Sequence, residues 1–290
     1  MKIFLAGAVT GNLIKNFKLS MEIYLEQAAS DSRIEYNEKM KIFIASIGNG
    51  HGGIGAKQKI IPLNQVYALE SFYYISKEEW MFPLLKEFKG FLLDSGAFTF
   101  MSSKKNSSVD WDKYIETYGE FIKRHNVDNF FELDIDVIVG LTEVERLRAK
   151  LEKITNKRCI PVWHKSRGLE YFKKMCSDYS YVAVGGIVTQ EIKRTEYPVF
   201  SNLLSIANKN NCRVHGLGFT NLEGMAKYRF HSVDSTAWLS GNKFGHVYLF
   251  NGRTMDKVQR KKGQKVKGNE VAFHNFSEWI KFSKYAEEYL

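Results

Sequence analysis

Cysteine is scarce in this chain, and the spacing of the few present excludes more than their number does. Cys159, Cys176 and Cys212 are the only three in 290 residues, and no two lie within four positions of each other. There is no CxxC pair, so neither a dithiol redox motif nor a zinc-finger spacing can be assembled. A sparse, odd set of thiols fits a reducing cytoplasm better than a disulfide scaffold. Long hydrophobic runs are missing too. The N-terminal Ile3–Ala6 run is too short for a signal peptide or a membrane helix and reads as a first strand, so no membrane partner is expected. Phosphate-loop signatures are also missing. No GxGxxG follows a first strand and no GxxxxGK[ST] occurs, which excludes dinucleotide and P-loop readings. Acidic residues are the minority: 32 Asp and Glu stand against 42 Lys and Arg, a net charge of +10. That balance favours a polyanionic partner, nucleic acid above all.

The chain does hold a full core and a regular alternation. Its hydrophobic fraction of 44% is ordinary for a globular protein, and its length suits one α/β domain over residues 1–290. Short apolar, β-rich runs recur at Ile3–Ala6, Ile42–Ser46, Phe91–Asp94, Phe130–Ile135, Cys159–Trp163, Tyr181–Gly185, Arg213–Gly216 and Phe230–Asp234. Amphipathic stretches separate them, among them Tyr114–His125, Thr142–Thr155, Leu169–Cys176 and Phe200–Asn208. Strands alternating with helices predict parallel β/α units, and eight of them predict a (β/α)8 TIM-type barrel with insertions and no zinc subdomain. The glycine-rich stretch from Gly48 to Leu63 reads as a flexible loop. Val247–Phe250 reads as part of a hairpin, within a basic C-terminal segment spanning 251–290. There Arg253, Lys257, Arg260, Lys261, Lys262, Lys265 and Lys267 face a single acid, Asp256. The run is either a solvated tail or a phosphate-backbone contact.

Active sites of β/α barrels lie at the C-terminal ends of the strands. The polar residues at those ends are Asp94, Asp134 or Asp136, His164, Gly185 with Gly186, His215, and Asp234. Burying a carboxylate without a partner costs several kcal/mol, so each strand-end acid is solvated, paired or used. Asp94-Ser95-Gly96 also suits a helix-capping turn. Glu132, Asp134 and Asp136 alternate, which places them on one strand face and leaves a divalent-metal site open as an alternative. Gly185-Gly186 reads either as a tight turn or as a close backbone approach to a flat ligand. His215 and His231 read most simply as satisfied core histidines.

Taken in order, Asp94-Ser95-Gly96-Ala97-Phe98, Leu133-Asp134, Val184-Gly185-Gly186-Ile187, Val214-His215-Gly216-Leu217-Gly218 and Ser232-Val233-Asp234-Ser235-Thr236-Ala237-Trp238 resemble the tRNA-guanine transglycosylase superfamily. The likeness spans roughly residues 90 to 250. It is greatest to the phage and bacterial DpdA-like 7-deazaguanine DNA transglycosylases. This resemblance implies an enzyme that replaces guanine in DNA with a free 7-deazaguanine base of the preQ0 type; no cofactor is expected, and no metal, since no four-ligand set has compatible spacing. It implies Asp234 as the nucleophile on C1′ and Asp94 as the general acid/base at the leaving and incoming bases. It implies substrate contacts from Asp134, Asp136, His164, Gly185, Gly186, His215, Ser95 and Gly96. Arg253, Lys257, Arg260, Lys261 and Lys262 would hold the nucleic acid. A cytoplasmic enzyme follows, phage-encoded in the case of that branch.

The sequence departs from the tRNA enzymes at three points. The CxCxxC…H zinc set cannot be supplied, Ala97 replaces a second glycine, and His164 replaces a glutamine. These departures favour DNA over tRNA. The alternatives are a zinc-less tRNA-guanine transglycosylase, a metal-dependent hydrolase built on Glu132, Asp134, Asp136, His164 and His215, and a non-catalytic nucleic-acid-binding barrel. In the transglycosylase reading Asp94, Asp134, Gly186, His215 and Asp234 must converge at one mouth.

Overall fold

The computed structural model describes residues 39–48, 63–101, 109–240, 244–259 and 268–290. The strand expected at Ile3–Ala6, most of the Gly48–Leu63 loop, and Arg260, Lys261 and Lys262 lie outside the described residues.

Seven strands form one parallel sheet: β1 (Lys41–Ala45), β2 (Tyr67–Ser71), β3 (Gly90–Asp94), β4 (Val162–Trp163), β5 (Tyr181–Val184), β6 (Arg213–Gly216) and β7 (Ser232–Ser235). Their order is β3-β2-β1-β7-β6-β5-β4, so the first and last strands in sequence pair at the centre. The sheet is curled. Between its two edges runs the segment Phe130–Phe131, which makes parallel bridges from Phe130 to Leu93 and from Phe131 to Ile160. The Phe131 N–H donates to the Leu93 carbonyl at 3.0 Å, and the Ile160 N–H to the Phe130 carbonyl at 2.8 Å. The buried Tyr118 hydroxyl sits 3.2 Å from the Leu93 carbonyl and 3.0 Å from the Phe131 carbonyl, pinning this seam from the helical side.

Successive side chains on a strand point to opposite faces, and here both faces are buried. Ile42, Ile44, Ala68, Leu93, Val182, Val214 and Val233 belong to the large outer core under the helices. Phe43, Ala45, Tyr67, Leu69, Leu92, Phe131, Ile160, Val162, Tyr181 and Ala183 form a second core inside the curl. The helix Trp111–His125 starts on Asp110, whose carboxylate accepts the Lys113 N–H at 3.0 Å, and ends on Asn126 in the left-handed conformation. It packs closely on the helix Leu141–Thr155 because Gly119 leaves room: a Cβ there would stand 2.7 Å from Ile154 Cγ2.

Two parts of the sheet differ from the expected set. β2 falls in a stretch, Tyr67-Ala68-Leu69-Glu70-Ser71, not expected to be a strand. The expected strand Phe130–Ile135 pairs only at its first two residues, and a short helix begins at Asp136.

The expected hairpin is present as β8 (His246–Phe250) and antiparallel β9 (Met255–Gln259). Beyond it, the chain returns as the helix Gly268–Tyr289. Ala272, Phe276, Trp279, Ile280, Ser283 and Ala286 are its buried stripe. Ser283 donates to the Ile42 carbonyl at 3.1 Å, seating the helix on β1. No helix among the described residues is long and apolar enough to cross a membrane.

Asn275 joins three elements. Its side-chain oxygen accepts the Tyr248 N–H at 2.9 Å, and its NH₂ donates to the Trp238 and His246 carbonyls at 3.2 and 3.0 Å. Asn275 is fully buried, so Asn275→Ala orphans three backbone groups. The expected loss of unfolding free energy is about 3 kcal/mol, read from urea unfolding with an unchanged slope. A loss below about 1 kcal/mol would show that the helix docks without this residue.

Candidate active site at the strand ends

The inward face of the curled sheet ends in acids. Asp94 is the last residue of β3 and stands opposite Ser71 in the β2 register. Its Oδ2 accepts the Gly96 N–H at 3.0 Å, so the turn-capping role is real. It is not the whole role. Burial pushes the Asp94 pKa up to about 7, with the carboxylates of Asp134 and Asp234 adding to the rise against the Gly96 N–H and the Ser71 hydroxyl. Asp94 therefore senses the charge of both other acids. Ser95 and Gly96 serve the turn itself. The Ser95 carbonyl accepts the Tyr114 hydroxyl at 2.6 Å. Gly96 has φ +88°, and a Cβ there would lie 2.7 Å from Tyr73 Cβ.

Asp134 meets His164, the residue after β4. His164 Nε2 lies 3.1 Å from Asp134 Oδ2, and its Nδ1 lies 3.1 Å from Glu191 Oε2. Burial alone would pull the His164 pKa down, but the hydrogen bonds to Asp134 and Glu191 overcome it and push it up to about 10. The ring is an imidazolium donating to both carboxylates. Glu191 is held below the usual carboxylate range by its bond to His164, against its burial. The glycine pair after β5 makes room for this triad. A Cβ on Gly185 would stand 2.7 Å from His164 Cε1, and one on Gly186 (φ +78°) 2.7 Å from Glu191 Oε2.

Glu132 and Asp136 do not share a face with Asp134. Both turn to Arg167, whose Nη1 donates to Glu132 Oε1 at 2.8 Å and whose Nε donates to Asp136 Oδ2 at 3.0 Å. Glu132 also accepts from the Val162 N–H at 2.8 Å and from Arg148 at 3.1 Å. Arg167 lies three residues past His164, and its two partners flank Asp134. The guanidinium therefore clamps the segment carrying Asp134 to the loop carrying His164. The five residues of the metal-hydrolase reading thus fall into separate pairings. No group of three or more His, Cys, Asp or Glu among the described residues is arranged to hold a metal.

Asp234 stands near the end of β7. Its Oδ1 accepts the Gly218 N–H at 2.6 Å and lies 3.2 Å from His215 Nε2. No partner for its Oδ2 is found among the described residues. Gly218 has φ +66°, and a Cβ there would strike Val188 at 2.3 Å. His215, on β6, is fully buried and reaches Ser232 Oγ at 2.6 Å through Nδ1. Of the basic run, Arg253 and Lys257 are exposed on the β8–β9 hairpin.

The acids expected at the mouth are thus brought together, while Asp136 is drawn off into the Arg167 clamp. Sequence reasoning missed Glu191, Arg167, Ser232 and Tyr181. Glu191 sits in an irregular turn with no periodicity to mark it. Ser232 was readable, since it shares a strand face with Asp234, two residues on.

No family model and no curated protein matches the sequence. Among solved structures, the chain is similar to the carboxyl transferase domain of Rhizobium etli pyruvate carboxylase. The form with oxalate matches at 12% identity and a TM-score of 0.47, over 87% of this chain and 48% of that one. The form with 3-hydroxypyruvate matches at 13% identity and 0.46, over 86% and 48%. This chain spans about half the length of those chains. A likeness this distant says nothing about chemistry.

Two measurements test the site's electrostatics. The folded-state pKa of Asp94, about 7, lies above its ordinary 3.8, so folding favours its protonated form. The resulting stability is present below about pH 4 and is lost as pH rises toward 7. Unfolding free energies of wild type minus Asp94→Asn should therefore fall across that window. At ~1.4 kcal/mol per unit the fall is at most about 4 kcal/mol. A difference independent of pH would show that Asp94 titrates normally. Arg167→Met strands the buried Glu132 and the half-buried Asp136 and should cost about 3–5 kcal/mol in chemical denaturation. A cost under about 1 kcal/mol would mean that Arg148 alone satisfies Glu132.

Proposed function

We propose that this protein is a base-exchange transglycosylase that replaces guanine in DNA with a free 7-deazaguanine base, on a (β/α)8 barrel closed through Phe130–Phe131 and without a zinc subdomain. The observation that carries the reading is the meeting of Asp94, Asp134 and Asp234 at one set of strand ends, each in a different electrostatic setting. Glycosidic exchange calls for that division. One carboxylate must stay ionised beside an oxocarbenium-like sugar, and a second must carry a proton to the base.

In the proposed reaction the target nucleotide leaves the stack, because neither acid can reach it inside a duplex. Asp234 Oδ2 attacks C1′ as the C1′–N9 bond breaks. The bonding pair goes to the guanine, which takes a proton from neutral Asp94. This leaves a glycosyl ester on Asp234 and a carboxylate at Asp94. The incoming 7-deazaguanine gives its N9 proton to Asp94, attacks C1′ and displaces Asp234, so protons and electrons balance over the cycle. An Asp94 pKa of about 7 suits a group that must give and regain a proton near neutrality. Asp134, held by His164, would accept from the donor edge of the base. His164 stands where the tRNA enzymes carry an amide, so a cation replaces a neutral donor beside the base. Arg253 and Lys257 would meet phosphates.

The test is a denaturing gel of enzyme with guanine-containing DNA, run in parallel with tRNA. Wild type should give a shifted covalent species with DNA. Asp234→Ala and Asp234→Asn should give none and lose base exchange by at least about 10³-fold, with DNA affinity nearly unchanged. Asp94→Asn should form some adduct but fail to turn over. Full exchange by Asp234→Ala would overturn the nucleophile assignment. An adduct with tRNA alone would move the substrate to RNA.

A further inference from the structure

We propose that His215 is a positioning residue for Asp234, held as its Nε2–H tautomer by a hydrogen-bond chain that enters from the sheet interior through Tyr181 and Ser232. Tyr181 Oη lies 2.6 Å from Ser232 Oγ, and Ser232 Oγ lies 2.6 Å from His215 Nδ1. His215 Nε2 lies 3.2 Å from Asp234 Oδ1, which also accepts the Gly218 N–H at 2.6 Å. Four polar side chains on three adjacent strands, β5, β6 and β7, thus form one line from the interior to the mouth.

The direction of the line follows from its end. The Gly218 N–H can only donate, so Asp234 Oδ1 acts as an acceptor, and His215 must offer it the Nε2 proton. In the neutral ring Nδ1 is then a lone pair, which accepts the Ser232 O–H. The Ser232 oxygen in turn accepts the Tyr181 O–H. Every link then uses one donor and one acceptor. The opposite tautomer would set the Nε2 lone pair against a carboxylate oxygen at 3.2 Å, a separation with no room for a bridging group, with His215 and Ser232 fully buried. The ring cannot swing away. Phe131 lies 5.2 Å and Phe43 6.1 Å from it, centroid to centroid.

The consequence falls on Asp234. Two donors converge on Oδ1, so rotating the carboxylate breaks both bonds. Oδ2 is thereby left outside both bonds. This is how a buried strand can fix the attacking oxygen of a nucleophile without neutralising it. The catalytic consequence rests on the proposed transglycosylase reading, whereas the tautomer does not.

The full chain labelled with ¹⁵N-histidine tests the tautomer directly, by long-range ¹H–¹⁵N correlation at pH 7. The His215 signals are identified by their loss in His215→Gln. A protonated Nε2 with a pyridine-type Nδ1 is expected. A proton on Nδ1, or on both nitrogens, overturns the proposal, and this measurement needs no variant beyond the one used for assignment. Ser232→Ala should introduce a second protonation form. An unchanged spectrum would show that the chain behind His215 holds nothing.

In the exchange assay His215→Phe should lower kcat about 10²-fold with KM for DNA unchanged. His215→Gln should recover about tenfold of that, since its amide N–H can still donate to Oδ1. Equal losses in both variants would remove the positioning role. A wild-type protein that exchanges no base at all would sink the transglycosylase reading and leave the tautomer result standing.

Discussion

Carboxylates brought together at the ends of apolar strands repel one another, and the way this chain divides that repulsion organises the whole mouth. Asp134 receives a cation, the imidazolium of His164, which it shares with Glu191. Asp234 receives neutral donors, the Gly218 N–H and His215. Asp94 receives a turn N–H and, among the described residues, no cation, and burial together with the charges of Asp134 and Asp234 raises its pKa to about 7. Three residues of similar acidity in water thus become an ion-paired acceptor, a side chain held by neutral donors and an acid with a raised pKa. Environments that push like groups apart are the usual signature of acid/base chemistry.

That division has backbone consequences. An imidazolium between two carboxylates needs space, and Gly185 and Gly186 supply it at two points where a Cβ would strike His164 and Glu191. Their adjacency therefore has a cause within the protein, beside any approach to a ligand. The segment after Phe131 leaves strand geometry for a related reason. In a continued strand Glu132, Asp134 and Asp136 would project together and crowd three charges. Instead the chain turns, Glu132 and Asp136 share Arg167, and Asp134 alone faces the mouth. The clamp closes from Arg167, three residues past His164, so two of the three segments that form the triad are fixed by one guanidinium.

What was legible in the sequence follows the same physics. Phe91–Asp94, Tyr181–Gly185 and Arg213–Gly216 are apolar runs ending in polar or glycine residues, and each is a strand within a residue or two. Such runs are visible because both faces of a parallel strand are buried. β2 was hidden because Glu70 interrupts its run; the side chain is buried and accepts the Gly48 N–H at 2.9 Å, a tertiary contact that no local pattern predicts. The helix Gly268–Tyr289 was hidden by attention to charge. Its stripe of Ala272, Phe276, Trp279, Ser283 and Ala286 has helical spacing, yet it follows a lysine-rich stretch that invites reading the whole end as a basic tail. Site residues carried on strand ends could be found. Those reaching in from turns, Glu191 and Arg167, could not, because their role depends on where the turn folds.

On the proposed reading, the net charge and the local charge of the mouth do opposite work. The chain carries +10 overall, which draws in a polyanion. The mouth itself gathers Asp94, Asp134 and Asp234, with one imidazolium shared between Asp134 and Glu191, and a phosphate placed there would be repelled. The nucleic-acid backbone must then stay outside the mouth, where exposed cations such as Arg253 and Lys257 would meet it, while only the base and sugar enter. Both are uncharged on entry. The sugar gains positive character only as its glycosidic bond breaks, and it does so facing carboxylates. A field that repels phosphate and favours an emerging cation acts on the transition state more than on the bound ground state, which is the condition for raising rate and not merely affinity. Burial, with that field adding to it, keeps Asp94 partly protonated before the base arrives. Enclosing acids together at the strand ends thus accounts for both the proton supply and the stabilisation of the sugar.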